Sequence, residues 1–304
     1  MARPTQSQLA RKQTVEATPS RPARNQTAAS VWLRRMQNRQ VVLGLVIIAG
    51  LYLVALLAPL LAPHGPNEQI LLDRLKPPSW EHPFGTDSFG RDIFSRVIWG
   101  ARVSLAVSLV ATLITVVIGG LVGVVSGFFG GWVDNAMMRV TDVFIAFPLF
   151  LLLITVIAIY GSSMFLLVLF LGLAAWPHTA RLVRAEVLSL RDRDFVLAAR
   201  VSGVNNLRLM RVHLLPNVVP ILVVAATLRV GIVILTEAGL SYFGLGVPPP
   251  APTWGNIVAD GRIYLASAWW ITTFPGILIV ITVLAYNLLG DGLRNAFDPR
   301  RRIR

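Results

Sequence analysis

Six apolar segments, each long enough to cross a bilayer as a helix, constrain this 304-residue chain more than any other feature, because about 20 helical residues span the hydrocarbon core. They run from Val41 to Ala62, Val103 to Phe129, Val143 to Tyr160, Met164 to Ala180, Val218 to Leu240 and Trp269 to Leu289. Composition agrees with this pattern. With 55% hydrophobic and only 14% charged residues, too little polar surface remains to cover a soluble globule of this length. The expected fold is therefore an all-α integral membrane protein of about six transmembrane helices. Pro148 and Pro177 fall inside the third and fourth spans, which only Gly161-Ser162-Ser163 separates, so these two are expected to form a tight hairpin.

Charge gives the expected orientation. With these spans, segments 1–40, 130–142, 181–217 and 290–304 hold 21 basic and 8 acidic residues, whereas the opposite side holds six of each. The net charge of +13 thus falls on one face, and because basic residues are retained in the cytoplasm, both termini and the 181–217 loop are expected there. This topology accounts for the basic excess without nucleic acid, for which the chain lacks arginines interleaved with an aromatic platform. The absence of cysteine excludes disulfides, thiol catalysis and thiolate metal sites. Residues 1–35 read as a disordered basic tail, 36–100 as the first span with an external Pro-rich loop and elbow, 101–298 as a five-span core and 299–304 as a basic C-terminal tail.

The loop within that core, residues 185–216, contains the polar stretch FVLAARVSGVNNLRLMRVHLLPN from Phe195 to Asn217. Ala198, Ala199 and Gly203 lack bulky side chains, so another protein can approach the backbone closely. Pro216, after Leu215, is expected to end the local helix. This skeleton resembles the "EAA" loop in membrane subunits of bacterial ATP-binding-cassette importers, a cytoplasmic coupling helix that sits in a cleft of the ATPase. Where the family pattern has Glu, this chain has Leu197.

Further blocks extend the resemblance. HPFGTDSFGRDIFSRVIWGARVSL from His82, GGWVDNAMMRVTDVFIAFP from Gly130, LSYFGLGVPPPAPTWG from Leu240 and NLLGDGLRNAFDP from Asn287 are similar to the dipeptide, oligopeptide and nickel branch, specifically its C-type permease. In the first block, Gly85, Gly90, Asp87 and Asp92 suggest turn and helix-cap chemistry, an elbow positioning the second span, in preference to substrate contact.

The resemblance implies a type I importer permease in the bacterial plasma (inner) membrane, working by alternating access. It would form half the pathway beside a paralogous B-type permease. Two ATPase subunits would carry ATP and Mg2+, an extracytoplasmic binding protein would deliver the solute, lipid would surround the spans, and this chain would bind no cofactor. Small peptides are the leading cargo, with glutathione, nickel chelates or oligosaccharides as alternatives.

Two ionisable residues, Arg229 and Glu237, lie within the fifth span, where charge is costly and usually faces a bundle interior or aqueous cavity. They stand about 12 Å apart along the helix and about 80° around it, too far to pair readily. Arg229 is suited to a peptide carboxylate, or equally to an interhelical pair or a hydrogen bond to backbone carbonyls. Glu237, nearer the outer end, suits gate or interface structure better than a substrate amine. Gly119, Gly123, Gly127 and Gly131 form a small-residue stripe that permits close helix packing, within this subunit or against a partner.

An enzymatic reading finds little support. His64, His82, His178 and His213 are scattered without metal-ligand spacing, and neither a GxSxG elbow nor a GxxxxGK[ST] phosphate loop occurs. A non-transporting scaffold or sensor has only Leu197 in its favour, and a secondary transporter would call for internal symmetry that the halves do not display.

Overall fold

The computed structural model describes residues 39–297, and their regular elements are helical apart from one isolated bridge between Thr86 and Asp92. Both expected tails lie outside the described residues. Five crossings are long and apolar enough for a membrane: α1 (Arg39–Leu56), α3 (Ile93–Phe129), the run Met164–Arg191, the run Asn206–Tyr242, and α12 (Trp270–Phe297). A short α2 (Ala58–Leu61) follows α1, a one-turn 3-10 helix spans Leu71–Asp73, and α11 (Trp254–Gly261) packs between the last two crossings.

The third expected span is corrected. Instead of one helix over 143–160, the chain forms α4 (Gly131–Ala146) and α5 (Leu149–Tyr160), with the helical path bent by 79°, and a sixth crossing exists only if this pair counts as one. Pro148 is the cause. The residue before a proline is driven out of the helical region, and Phe147 is extended at φ −84°, ψ 128°. Pro177 breaks the next span more gently. A helix α6 (Met164–Leu173) gives way to α7 (Trp176–Arg191) with Pro177 in its first turn, where a missing N–H costs nothing.

α3 is the spine. At about 1.5 Å per residue its 37 residues extend roughly 55 Å, well beyond the roughly 30 Å hydrocarbon core. Its glycine stripe meets α7 within this subunit. A Cβ on Gly119 would lie 2.6 Å from Thr179 Cβ, on Gly123 2.6 Å from the Ala180 carbonyl oxygen, and on Gly127 2.9 Å from Val187 Cβ. Helix backbones therefore touch, and α3 also accepts α6 through Thr115 Oγ1, which donates to the Gly172 carbonyl at 2.8 Å. Gly131 does not join the stripe, since nothing lies within 4 Å of where its Cβ would be. α4 is tied to α7 by a two-pronged bond from Arg184 to Asp134 (2.6 and 2.5 Å), which Ser126 of α3 also contacts.

Gly123→Leu should therefore push α3 from α7 and destabilise the subunit by about 1–3 kcal/mol, as overpacking commonly does. Gly50→Leu on α1, where nothing lies within 4 Å of a Cβ, should leave thermal unfolding in detergent unchanged, and an equal shift in both variants would contradict this interface.

Candidate functional site

At the end of the bundle where α3 and α7 finish, the chain forms α8 (Asp194–Val201) and then a helical run comprising α9 (Asn206–Arg208), a π turn (Leu209–Leu214) and α10 (Leu215–Tyr242). Val196 of α8 is fully buried and packs with Leu209, Leu214, Val183, Val187 and Phe128 in one apolar cluster. The opposite side of α8 is bare: Phe195 and Leu197 are each 41% exposed and Val201 is 90% exposed. This short helix is thus anchored on one side and presents an apolar strip on the other.

The small residues named from the sequence divide between these sides. Ala198 is exposed and faces outward, whereas Ala199 packs against the cluster beneath. Gly203 has a different reason to be glycine. It adopts φ +79° just past the helix end, the Val204 N–H donates to the Ala199 carbonyl and the Gly203 N–H to the Arg200 carbonyl, a pairing that closes a helix with a left-handed residue. Nothing lies within 4 Å of its absent Cβ, so backbone conformation, not crowding, selects it.

Pro216 does not end the helix, contrary to expectation. It sits in the first turn of α10, and the wider π turn before it absorbs the missing N–H, with the Leu215 N–H reaching back to the Met210 carbonyl. Leu215 is itself partly exposed.

Midway along α10, Arg229 is half-buried, its Nε has no hydrogen-bond partner, and no acidic side chain pairs with it among the described residues. Glu237 is 2% exposed and accepts from Ser241 Oγ (2.8 Å) and Thr253 Oγ1 (3.0 Å). Thr253 caps α11 in a reciprocal bond with Asn256, so Glu237 ties α10 to the start of α11. Near it, a cleft of mixed character is lined by Ser241, Tyr242, Asn256, Asp260 and Arg262 together with Val247, Pro248 and Pro249.

The far end of α3 carries the elbow. Asp92 caps α3 by accepting from Ser95 N at 2.7 Å, and Asp87 accepts from the Phe89 and Arg91 amides (2.8 and 3.0 Å), the turn and cap chemistry expected of both. Asp87 also receives Arg91 Nε and Arg96, and both arginines reach Asp260 before α12. Trp270 of α12 donates to the Thr86 carbonyl, locking the elbow to the last crossing. Gly90, at φ +70°, has no room for a side chain, since its Cβ would overlap the Ile70 carbonyl. Around it, Asp73 bonds Lys76, which holds its carboxyl below the usual carboxylate range against the opposing effect of burial.

The described helices form a multi-pass membrane bundle with a short, anchored helix at one end, and the relatives that share this sequence make it a membrane permease subunit. The chain belongs to the binding-protein-dependent transport system inner membrane component family, which matches residues 119–303, and residues 27–78 match the N-terminal transmembrane domain of oligopeptide transport permease C. It is 40% identical over 283 residues to the dipeptide transport system permease protein DppC of Alkalihalophilus pseudofirmus, covering 92% of this chain and 93% of that one. A putative peptide transport system permease of Brucella suis is 43% identical over 270 residues, 89% and 91% of the two chains. The inward-facing MetNI methionine ABC transporter shares the fold, with TM-score 0.56 and 22% identity over 67% of this chain and 97% of that one.

Gly203→Ala should weaken the closure of α8 by about 1–2 kcal/mol and speed exchange of the Val204 amide roughly tenfold, while Gly203→Asn, which tolerates the left-handed region, should cost less. Equal exchange in wild type and Gly203→Ala would remove the conformational reason for this glycine.

Proposed function

We propose that this chain forms half of the translocation pathway of an ATP-driven importer of small peptides, beside a paralogous permease. In this reading it binds no cofactor of its own, and ATP with Mg2+ is held by two cytoplasmic ATPases. The bundle lies in the bacterial inner membrane with both termini in the cytoplasm, and a binding protein delivers solute at the elbow end. The observation that carries the reading is α8: its exposed strip of Phe195, Leu197, Ala198 and Val201 stands over the buried anchor Val196. Small or flexible contacts there admit a partner, and the anchor joins the strip to the cores of α3, α7 and α10. Peptide as cargo is supported by the names of the relatives that this chain matches over about nine tenths of its length.

The mechanism follows from that attachment. ATP can bias the permease only through contacts that differ between its two arrangements, and closure of the ATPases on α8 displaces Val196 and with it the ends of three helices. Leu197 makes this contact apolar where the family pattern has a carboxylate. Arg229, a half-buried cation without an acidic partner among the described residues, is the group we assign to a peptide's carboxylate. Glu237 holds α10 against α11 near the cleft.

Ala198→Trp adds bulk on the exposed side of α8 without entering the core. In the assembly reconstituted with its binding protein and peptide, it should reduce substrate-stimulated ATP hydrolysis roughly tenfold or more while the chain still inserts and unfolds at the wild-type temperature. Wild-type stimulation in that variant would refute α8 as the ATPase contact. Absence of any peptide stimulation in the wild-type assembly would refute the cargo.

A further inference from the structure

The elbow end holds a side-chain cluster to which the proposed transport mechanism assigns no role. His64, from the Pro-rich segment after α2, His82, from the turn before the elbow, and Asp92, the cap of α3, each offer a ligand atom within 4.8 Å of the others. Asp92 stands between the two rings, with Oδ1 3.0 Å from His82 Nδ1 and Oδ2 3.9 Å from His64 Nδ1. The ring centroids are 5.1 Å apart.

Hydrogen bonding inside the cluster leaves it incomplete. His82, 1% exposed, meets Asp92 through Nδ1 and turns Nε2 to the other side, while the buried His64 Nδ1, the nitrogen turned toward Asp92, has no hydrogen-bond partner. Buried polar atoms are seldom left so, because each costs the desolvation it does not recover. Two imidazoles converging on one carboxylate are, however, the donor set of a three-ligand cation site with a fourth position open. A tetrahedral shell with bonds of about 2.0–2.1 Å has edges of about 3.3 Å, and the three ligand atoms, all within 4.8 Å of one another, reach it by a small inward movement of the partly exposed His64. Imidazole nitrogens select a transition ion over calcium or magnesium.

A second carboxylate completes the arrangement. Asp73 Oδ2 lies 3.5 Å from His82 Nε2, the side of the ring facing away from Asp92. A metal-ligating histidine commonly donates its other N–H to such a carboxylate, which sets its tautomer and orientation. The entry side is His64, whose side chain is 25% exposed and whose backbone N–H is held by Ser95 Oγ at 3.1 Å. Sequence spacing could not reveal this group, because the three ligands belong to segments joined only by folding.

We propose that His64, His82 and Asp92 bind a divalent transition cation of the zinc type, with Asp73 positioning His82, and that the ion clasps the loop after the first crossing to the head of α3. The His64 loop closes inward on the ion, and water takes the fourth position. The clasp is independent of the cargo, so it stands or falls separately from the peptide reading.

The test uses the full permease assembly without a histidine tag and without its binding protein, stripped with chelator and then titrated with Zn2+. About one zinc per chain should remain through gel filtration, and Co2+ in its place should give the intense visible absorption of a four-coordinate site. His64→Ala should weaken zinc binding at least tenfold, and Asp73→Asn by about 10–100-fold, the effect expected of a ligand-orienting carboxylate. Failure of the wild-type assembly to retain zinc would overturn the proposal, as would wild-type affinity in His64→Ala. Should that variant fail to assemble, the wild-type titration and the Asp73→Asn comparison still decide the matter.

Discussion

The close approach of α3 and α7 is the contact on which the rest of the subunit depends. Gly119, Gly123 and Gly127 let one backbone reach the other, so that Thr179, Val183 and Val187 fill the space side chains would have taken. In lipid there is no hydrophobic reward for bringing two apolar helices together, and packing of this kind is what remains. The contact continues toward Phe128 and Leu190, where the apolar cluster receives Val196, Leu209 and Leu214. The short helix α8 is thus held by the same surface that holds the crossings together.

α3 also connects the two ends of the molecule. One end supports α8; the other begins at Asp92, whose carboxylate caps the helix and meets His82. Arg91 and Arg96 reach Asp260, and Trp270 reaches Thr86, so the elbow is joined to the stretch leading into α12. α3 is thus fastened to its neighbours at both ends. The Glu237 contact with Thr253 adds a fixed point beside the cleft.

Much of this was legible along the chain. The crossings appear as apolar runs because membrane burial acts on each segment separately, and the caps of the elbow appear because Asp and Gly act on their immediate neighbours. The bend in the third crossing is not legible in hydropathy, which is blind to direction: residues 143–160 are apolar throughout, yet Pro148 bends the path. Pro216 departs from local expectation for the converse reason, since a proline that ends an ordinary helix is accommodated when the preceding turn widens. Ala198 and Ala199 looked equivalent, but neighbours on a helix point about 100° apart, and only the position of the core decides which one faces out.

The amino-acid sequence by itself determined that this protein lives in a membrane, about where it crosses, and where its turns and caps begin, because those outcomes depend on the hydropathy and backbone preferences of contiguous residues. Only the tertiary structure decided that the glycine stripe packs on α7, that Gly203 serves a left-handed closure, that Glu237 is tied to Thr253 and that His64 meets His82 and Asp92. Those encounters join residues remote in sequence, and their geometry is set by how whole helices pack, which no local pattern encodes.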